Sequence, residues 1–254
     1  MLSEERQAIL LQELQTKGYA QVNEMADRLR VTPITIRRDF ATLEQQGKCS
    51  RTRGGAVLSG QGTAPELPYE IKAQRQIPEK LRIAQAAANH IRESDIIILD
   101  SGSTTFQLAK LLLPRRQLTV VTNDLKIASL LAVNPSITLI CTGGVSRANV
   151  YTLLGSQAEQ FLKTIRVDKT FLAADAIHPD GVISNVNLDE VPIKQAMLAA
   201  GSQKVLLADS SKFGVKGFAR VCAVNDLDLV ITDNSLEKDW IQQLNEQQIE
   251  VELV

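Results

Sequence analysis

The stretch VTPITIRRD, residues 31–39, carries the start signals of an α-helix. Thr32 is a favourable N-cap residue, and Pro33 suits the first helical position, where its missing N–H is no loss. The first two turns bring hydrogen-bonding and cationic side chains, namely Thr35, Arg37 and Arg38. The stretch therefore predicts a helix that presents polar groups at its N-terminal end.

Two amphipathic segments precede this helix. Residues 22, 25, 26 and 29 are apolar, which is the i, i+3, i+4, i+7 spacing of a short helix. An apolar stripe at Ile9, Leu10 and Leu14 predicts an earlier helix from Arg6 to Thr16. With a tight turn at residues 30–31, this order predicts a helix-turn-helix whose third helix enters the major groove of DNA.

A basic hairpin is predicted next. Gly47 ends the helix, and Lys48 to Val57 is typical of the short β-hairpin called a wing. Residues 31–57 contain five basic and two acidic side chains, a local charge of +3 in a chain whose net charge is −1. Such a face favours phosphate, because each neutralised phosphate releases counterions. The residues expected at the DNA are Thr32, Pro33, Thr35, Arg37, Arg38, Arg51, Arg53, Gly54 and Gly55. The alternative is an ordinary three-helix module with a solvated charged face.

These residues carry a family resemblance. Val31 to Phe40, followed by Arg51-x-Arg53-Gly54-Gly55-Ala56, resembles the N-terminal signature of the DeoR family of bacterial transcription regulators. The family usually has His or Tyr where this chain has Arg53. The resemblance implies a winged helix-turn-helix that binds double-stranded operator DNA.

Composition limits the class of protein. The chain has 254 residues, of which 44% are hydrophobic, and no run approaches the roughly 18 apolar residues of a membrane span. Its polar start lacks the architecture of a signal peptide, so we expect a cytoplasmic protein. The three cysteines are far apart and only two histidines are present, so neither a metal site nor a cofactor is expected.

A longer domain follows a break in the pattern. Residues 58–70 include two glycines and two prolines, which is typical of a linker. We therefore expect a DNA-binding domain over residues 1–57, a linker over 58–70, and an effector-binding and oligomerisation domain over 71–254.

The longer domain alternates apolar runs with helical segments, starting with a helix over residues 78–92. The runs are Ile96–Leu99, Leu118–Val121, Thr138–Cys141, Lys169–Ala173, Lys204–Ala208, Leu227–Thr232 and Ile249–Val254. Continuous hydrophobicity indicates strands that are buried on both faces. The alternation then predicts a doubly wound, mostly parallel α/β domain.

Polar groups follow the ends of these strands, where open α/β sheets bind ligands. The loop from Asp100 to Thr105 precedes a helix predicted over Phe106–Leu113, and its hydroxyl groups and backbone N–H groups suit a phosphate. The residues expected at this effector site are Asp100, Ser101, Gly102, Ser103, Thr104, Thr105, Thr122, Asn123, Gly143, Gly144, Arg147, Asp175, Glu190, Lys194 and Lys212. Taken singly, Glu190 and Lys194 would form a surface ion pair and Lys212 would be a solvated cation. Together they suit a polyol phosphate.

These motifs are similar, in order and spacing, to those of the DeoR effector domain, and the resemblance covers about residues 4–235. It implies a fold related to ribose-5-phosphate isomerase and coenzyme A transferases, and a phosphorylated sugar or related metabolite as inducer. The family often has Gly-x-Asp-Gly where this chain has Ala173-Ala174-Asp175-Ala176, which adds two methyl groups beside the ligand.

Three hypotheses follow. The first is a transcriptional repressor of carbohydrate-metabolism genes, a homo-oligomer (dimer or tetramer) that a phosphorylated sugar or polyol releases from its operator. The second is a sugar-phosphate isomerase with a DNA-binding appendage, for which Asp100, Asp175, Glu190, Lys194 and Lys212 are candidate acids and bases. The third is an architectural DNA-binding protein with a vestigial pocket.

Overall fold

The computed structural model of the chain describes residues 2–51, 54–58, 67–147 and 150–254. Backbone contacts divide the chain into two compact units, the first ending at Arg75 and the second beginning at Gln76. The domain boundaries expected from the sequence stay predictions, and most of the expected linker, residues 59–66, lies outside the described residues.

The first unit combines helices with a small antiparallel sheet. Its elements are α1 (Ser3–Lys17), β1 (Tyr19–Gln21), α2 (Val22–Leu29), α3 (Pro33–Gln45), β2 (Cys49–Arg51), β3 (Gly55–Leu58) and α4 (Tyr69–Ala73). The strands lie in the order β1-β3-β2. The predicted helix-turn-helix and hairpin are confirmed, while β1 was not predicted because it is only three residues long.

The helix boundaries follow local hydrogen bonding. The Thr32 side chain accepts a hydrogen bond from the Thr35 N–H (3.3 Å), which confirms the predicted N-cap. The turn before it places Arg30 in the left-handed region, at φ 52°. The first helix starts three residues earlier than predicted, because the Glu5 carboxylate accepts the Leu2 N–H (3.0 Å) and so supports the first turn.

One apolar core holds α1, α2 and α3 together. Leu10, Leu14, Met25, Ile36 and Phe40 are its fully buried members. The short helix α4 belongs to the same unit, since Leu67 and Ile71 pack with Val57 and Tyr19 in a satellite cluster. That helix lies where the sequence analysis placed the end of the linker.

The second unit is a seven-stranded parallel sheet covered by helices. Its elements are α5 (Ile77–Asn89), β4 (Ile96–Leu99), α6 (Ser103–Leu112), β5 (Leu118–Thr122), α7 (Leu125–Leu131), β6 (Ile137–Cys141), β7 (Val145–Ser146), β8 (Leu153–Leu154), α8 (Ser156–Lys163), β9 (Val167–Ala173), β10 (Ala176–Ile177), β11 (Val182–Asn185), α9 (Val191–Ala200), β12 (Gly201–Leu207), β13 (Ala219–Ala223), β14 (Leu229–Thr232), α10 (Lys238–Glu246) and β15 (Glu250–Leu253). The order in the main sheet is β15-β14-β12-β9-β4-β5-β6.

Both faces of this sheet are covered, as the continuous apolar runs predict. Ile97 and Leu99 pack in the cluster that includes α5, α6 and α7, whereas Ile98 packs with α8 and α9. The seven predicted strands and the parallel arrangement are confirmed. A separate antiparallel sheet of β10, β11 and β13 was not predicted, because its strands are two to five residues long.

One helix start was predicted wrongly. We expected the helix after β4 to begin at Phe106, but α6 begins at Ser103 with Gly102 as its N-cap. The Thr105 hydroxyl donates to the Gly102 carbonyl (2.9 Å), so residues of low intrinsic helix propensity are held in the first turn.

The strand order reverses between β4 and β9. The chain runs outward from β4 through β5 to β6, then returns to β9 and continues through β12 and β14 to β15. Loops that leave the carboxyl ends of β4 and β9 therefore diverge, and the space expected at such a reversal, here called the crevice, is the usual ligand position in such sheets.

Two isoleucines on α3 provide a matched test of the first core. Ile36 is fully buried and Ile34 is 71% exposed. We expect Ile36→Ala to lower the free energy of unfolding by about 2–5 kcal/mol, through lost transfer energy and an unfilled cavity. Ile34→Ala should change it by less than about 0.5 kcal/mol.

Urea unfolding followed by far-UV circular dichroism measures both effects. The single tryptophan, Trp240, lies in the second unit, so its fluorescence reports that unit alone and serves as the control. Equal destabilisation by the two substitutions would contradict the assigned orientation of α3.

Candidate nucleic-acid interface and ligand crevice

The third helix separates an apolar face from a basic one. Ile36 and Phe40 are fully buried, whereas Arg37 and Arg38 are exposed. Thr35 is half-buried, and its hydroxyl lies 3.0 Å from that of Thr32. The side chains of the two arginines are therefore open to solvent, whereas the side chain of Thr35 is only partly so.

One of the two acidic residues of this helix, Asp39, is held inside the unit. Asp39 is buried and bonded to the Arg6 guanidinium (Nε to Oδ2, 2.7 Å; Nη2 to Oδ1, 3.2 Å) and to the Ser3 hydroxyl (3.0 Å). The hydrogen bond to Asp39 raises the pKa of Arg6, against the opposing effect of burial. Asp39 contributes −1 to the local charge of +3, but Arg6, which lies outside residues 31–57, compensates it. The exposed face of α3 is therefore more positive than the count indicates.

The positive charge of the wing is also partly neutralised. The Arg51 N–H and Nε donate to the two carboxylate oxygens of Glu44 (2.7 and 2.6 Å), and these bonds lower the pKa of Glu44. Arg53 lies outside the described residues.

Close packing explains the two glycines of the wing. The Gly54 carbonyl accepts the Val22 N–H (2.8 Å). A Cβ atom at Gly55 would lie 2.1 Å from the Ala20 carbonyl oxygen, so β1 and β3 require a glycine there. The predicted contact of these glycines with DNA remains untested.

In the second unit, a buried ion pair lies at the reversal of strand order. Lys194 Nζ donates to Asp100 Oδ2 (2.5 Å) and to the Ala173 carbonyl (2.9 Å), while the Ala173 N–H donates to the same Asp100 oxygen (3.0 Å). Burial alone would lower the pKa of Lys194, but the negative charges of Asp100 and Glu190 outweigh it and raise that pKa. The alternative interpretation, a surface ion pair of Glu190 and Lys194, is wrong for Lys194, which is buried and bonded to Asp100, and the predicted effector-binding role of both residues stays a prediction.

A second network lies on the β5 side of the crevice. The Thr152 hydroxyl donates to Ser101 Oγ (2.8 Å), and the Ser101 hydroxyl donates to Asp124 (2.7 Å). Burial raises the pKa of Asp124, and hydrogen bonds from the Ile127 N–H and from Ser101 oppose that rise. The Ser101 hydroxyl therefore joins two loops of the protein, and its predicted contact with an effector stays a prediction.

Asn123 joins this network to the helix that follows β4. Its Oδ1 accepts the Ser101 N–H (2.9 Å). Its Nδ2 is buried and has no hydrogen-bond partner among the described residues, and the same holds for Asp100 Oδ1. One unused donor therefore belongs to the side chain that bonds the Ser101 N–H, and one unused acceptor to the residue before Ser101.

The start of α6 follows Ser101, whose N–H bonds Asn123. Gly102, its N-cap, has no side chain to offer, and the first N–H groups of a helix lack intrahelical partners. A Cβ atom at position 102 would lie 2.7 Å from the Cβ of Ala173, so the two residues touch across the crevice. Ser103, Thr104 and Thr105 are buried in the first turn. Ala173 and Ala176 carry methyl groups where the DeoR pattern often has glycine. The methyl group of Ala173 faces the start of α6, and Ala176 is fully buried.

The other predicted residues have distinct roles. The Thr122 hydroxyl donates to the Leu99 carbonyl (2.7 Å) and so connects β4 and β5. Arg147 and Asn185 both donate to Glu190 (2.7 and 2.5 Å). Asp175 accepts the Val186 N–H (3.3 Å).

The two glycines after β6 allow backbone conformations and packing that other residues would not. Gly143 and Gly144 adopt φ values of 72° and 109°. A Cβ atom at Gly144 would lie 2.3 Å from the Leu154 carbonyl oxygen, so the β7–β8 pair requires a glycine there. Lys212 lies farther along the edge, after β12, which β9 separates from β4.

Sequence reasoning missed three members of these networks: Asp124, Thr152 and Asn185. Asp124 was detectable, because an aspartate directly before an apolar helical segment is an N-cap signal, and it accepts the N–H groups of Lys126 and Ile127 (2.7 and 2.9 Å). Thr152 and Asn185 carry no such local signal, because their partners are distant in the sequence.

Two family profiles match the chain. The DeoR-like helix-turn-helix domain matches residues 6–61, and the DeoR C terminal sensor domain matches residues 75–234. None of the described helices is long and apolar enough to cross a membrane.

Relatives align over almost the whole chain. An uncharacterized HTH-type transcriptional regulator of Bacillus subtilis is 34% identical over 254 residues, covering 100% of this chain and 98% of its own. The glycerol-3-phosphate regulon repressor of Escherichia coli is 29% identical and covers 96% of each chain. A ribose 5-phosphate isomerase A structure from Methanocaldococcus jannaschii overlaps 53% of each chain at 18% identity, with a TM-score of 0.39.

The buried ion pair yields a stability prediction. We expect Lys194→Met to lower the free energy of unfolding by about 3–5 kcal/mol, because the Asp100 charge is left buried without its cation. Adding Asp100→Asn should recover part of the loss. Trp240 fluorescence during urea unfolding measures the second unit.

Arg82→Met is the control. Arg82 pairs with Glu79 at 3.9 Å with its side chain 44% exposed, and such pairs contribute at most about 1 kcal/mol. A loss of similar size in Lys194→Met and Arg82→Met would contradict the structural importance of the buried pair.

Proposed function

We propose a repressor that a phosphorylated ligand releases from DNA, and the premise is that this chain belongs to the DeoR family of transcriptional regulators. It is a DNA-binding regulator and not an enzyme. The operator, the effector and the residues that bind them form the proposal.

For operator DNA, the support is the shape and charge of the first unit. The exposed N-terminal half of α3 carries Thr32, Pro33, Arg37 and Arg38, and the N-terminal residues of a recognition helix contact base edges in the major groove. Arg51 and Arg53 of the wing would hold phosphates, which position the protein without reading sequence. The protein then works where a bacterial operator lies, in the cytoplasm.

For the effector, one observation carries the proposal. The start of α6 has a glycine N-cap, and beside it the buried Nδ2 of Asn123 has no hydrogen-bond partner among the described residues. A helix N-terminus and an unused amide donor together suit a phosphate. Ser103, Thr104 and Thr105 would surround it.

The acceptor side suits hydroxyl groups. Asp100 Oδ1 is buried and lacks a partner among the described residues, and a carboxylate oxygen can only accept hydrogen bonds. A ligand with a phosphate at one end and hydroxyl groups at the other would satisfy both sides, which describes a phosphorylated sugar or polyol. One relative is the repressor of a glycerol-3-phosphate regulon.

The proposed response is a coupling between two binding sites. An effector changes DNA affinity only to the extent that it binds the DNA-competent and DNA-released conformations differently. An architectural protein with a vestigial pocket would lack this coupling, so effector titration of a protein–DNA complex separates the two hypotheses.

Asn123→Asp tests the effector site. The substitution keeps an oxygen to accept the Ser101 N–H and replaces the Nδ2 donor by a second oxygen. We expect it to weaken effector binding by about 10- to 150-fold, the range for a charged hydrogen bond of roughly 1.5–3 kcal/mol. The effector is first found by thermal shift against a panel of sugar and polyol phosphates, each paired with its unphosphorylated counterpart. At 100 times the dissociation constant it should add about 2.7 kcal/mol of stability.

Release of the full chain from DNA gives the second readout. The DNA is a set of duplexes that the chain itself enriches from a random library. Asn245→Asp, on the exposed end of α10, makes the same chemical change away from the crevice and should respond like the wild type. A wild-type response in Asn123→Asp, or equal stabilisation by phosphorylated and unphosphorylated compounds, would refute the proposed site.

The proposal also includes self-association. One winged module reads about one half-site, so useful operator specificity requires at least a dimer. We expect the full chain to sediment as a homo-oligomer at micromolar concentration and to bind enriched duplexes in multiples of two. A strict monomer, both free and on DNA, would overturn this part.

A further inference from the structure

An isoleucine stands exposed at the start of the recognition helix. Ile34 is the second residue of α3 and is 71% exposed, while Ile36, two positions later, is fully buried. The packed core of this unit contains Ile36, Phe40 and Leu43 from α3, on the face opposite to Ile34. Stability of the unit therefore does not require an apolar residue at position 34.

Helix formation does not explain it either. β-branched residues lose side-chain freedom in a helix, so alanine or a polar residue would suit an exposed first turn better. Single exposed apolar residues are common on protein surfaces and alone mean nothing. Ile34 differs from such residues in its position, on the helix proposed to bind DNA.

Ile34 shares a face with the two arginines. Positions i, i+3 and i+4 are neighbours on a helix surface, so Ile34 lies one turn before Arg37 and Arg38, both of them exposed. The orientation of this face is fixed at two points. The Thr32 cap holds the first turn, and the bonds from Arg6 to Asp39 hold the second turn against α1.

We propose that Ile34 contacts the C5-methyl group of a thymine in the major groove and so sets the base preference at that position. An aliphatic side chain offers no hydrogen bond to phosphate or to a base edge. The apolar feature that bases present in the major groove is the thymine methyl group. The inference rests on the proposed contact of α3 with operator DNA.

The test removes the methyl group from the DNA. Duplexes enriched from a random library by the full chain are remade with deoxyuridine in place of each thymine in turn, and their dissociation constants are measured at fixed salt. We expect one thymine in each half-site at which the wild type loses about fourfold in affinity. That factor corresponds to ~0.8 kcal/mol, the value of one methyl group removed from water.

Ile34→Ala should bind the thymine and deoxyuridine duplexes equally well. Arg37→Ala is the control for general weakening, and it should bind less tightly while keeping the fourfold ratio. Val133→Ala removes an exposed apolar side chain from the second unit and should behave like the wild type. Placing cytosine and then 5-methylcytosine at the same position isolates the methyl group, which should raise affinity in every protein that keeps Ile34 and have no effect in Ile34→Ala.

The outcomes are separable. If duplexes are enriched but the deoxyuridine effect is missing, or persists in Ile34→Ala, the inference about Ile34 is overturned while DNA binding stands. If the full chain enriches no sequence, the proposed operator binding fails and the inference fails with it. Because Ile34 is exposed, circular dichroism of Ile34→Ala should match the wild type, so a lost ratio cannot be attributed to unfolding.

Discussion

Lys194 is the residue on which the crevice depends. It bonds the carboxylate that follows β4 and the carbonyl that ends β9, the two strands between which the sheet changes direction. A buried cation is tolerable only with oxygen partners, and these come from both strands. The strand ends are thereby fixed to each other at the place where their loops diverge. Because the amine bonds one oxygen of Asp100, the other has no partner among the described residues, and neither has the Nδ2 donor of Asn123.

The first unit uses a buried charge in a similar way. Asp39 lies on α3 between the core and the basic face, and Arg6 from α1 binds both of its oxygens. The pair joins two helices and removes a negative charge from the surface that would meet phosphate. Glu44, in the last turn of α3, is partly exposed beside Arg51 of the wing, so part of the basic character of the wing is cancelled locally. The positive charge on the exposed face of α3 comes from Arg37 and Arg38.

Sequence patterns predicted the architecture because its causes are local or periodic. The N-cap of α3, the apolar spacing of α2 and the continuous strand runs each depend on neighbouring residues, and all three are present. The functional networks were harder to predict, because their bonds span the chain. Lys194 and Glu190 suggested a pair at helical spacing, yet Lys194 bonds Asp100, and Glu190 bonds Arg147 and Asn185. Ser101 and Thr122 were recognised as polar residues at strand ends. Their hydroxyl groups hold the protein's own loops, which no spacing rule indicates.

The close approach of Gly102 to Ala173 makes the residues allowed at these two positions depend on each other. A methyl group at 102 would collide with the methyl group of Ala173, so the alanine at 173 restricts 102 to glycine. A chain with glycine at 173, as the DeoR pattern often has, removes that collision and relaxes the restriction. Across related sequences, the residues at these two positions should therefore vary together. The room at the start of α6, and with it the shape of molecule that fits there, would change by paired substitutions at the end of β9 and at the N-cap of α6, while the apolar sheet beneath stays the same.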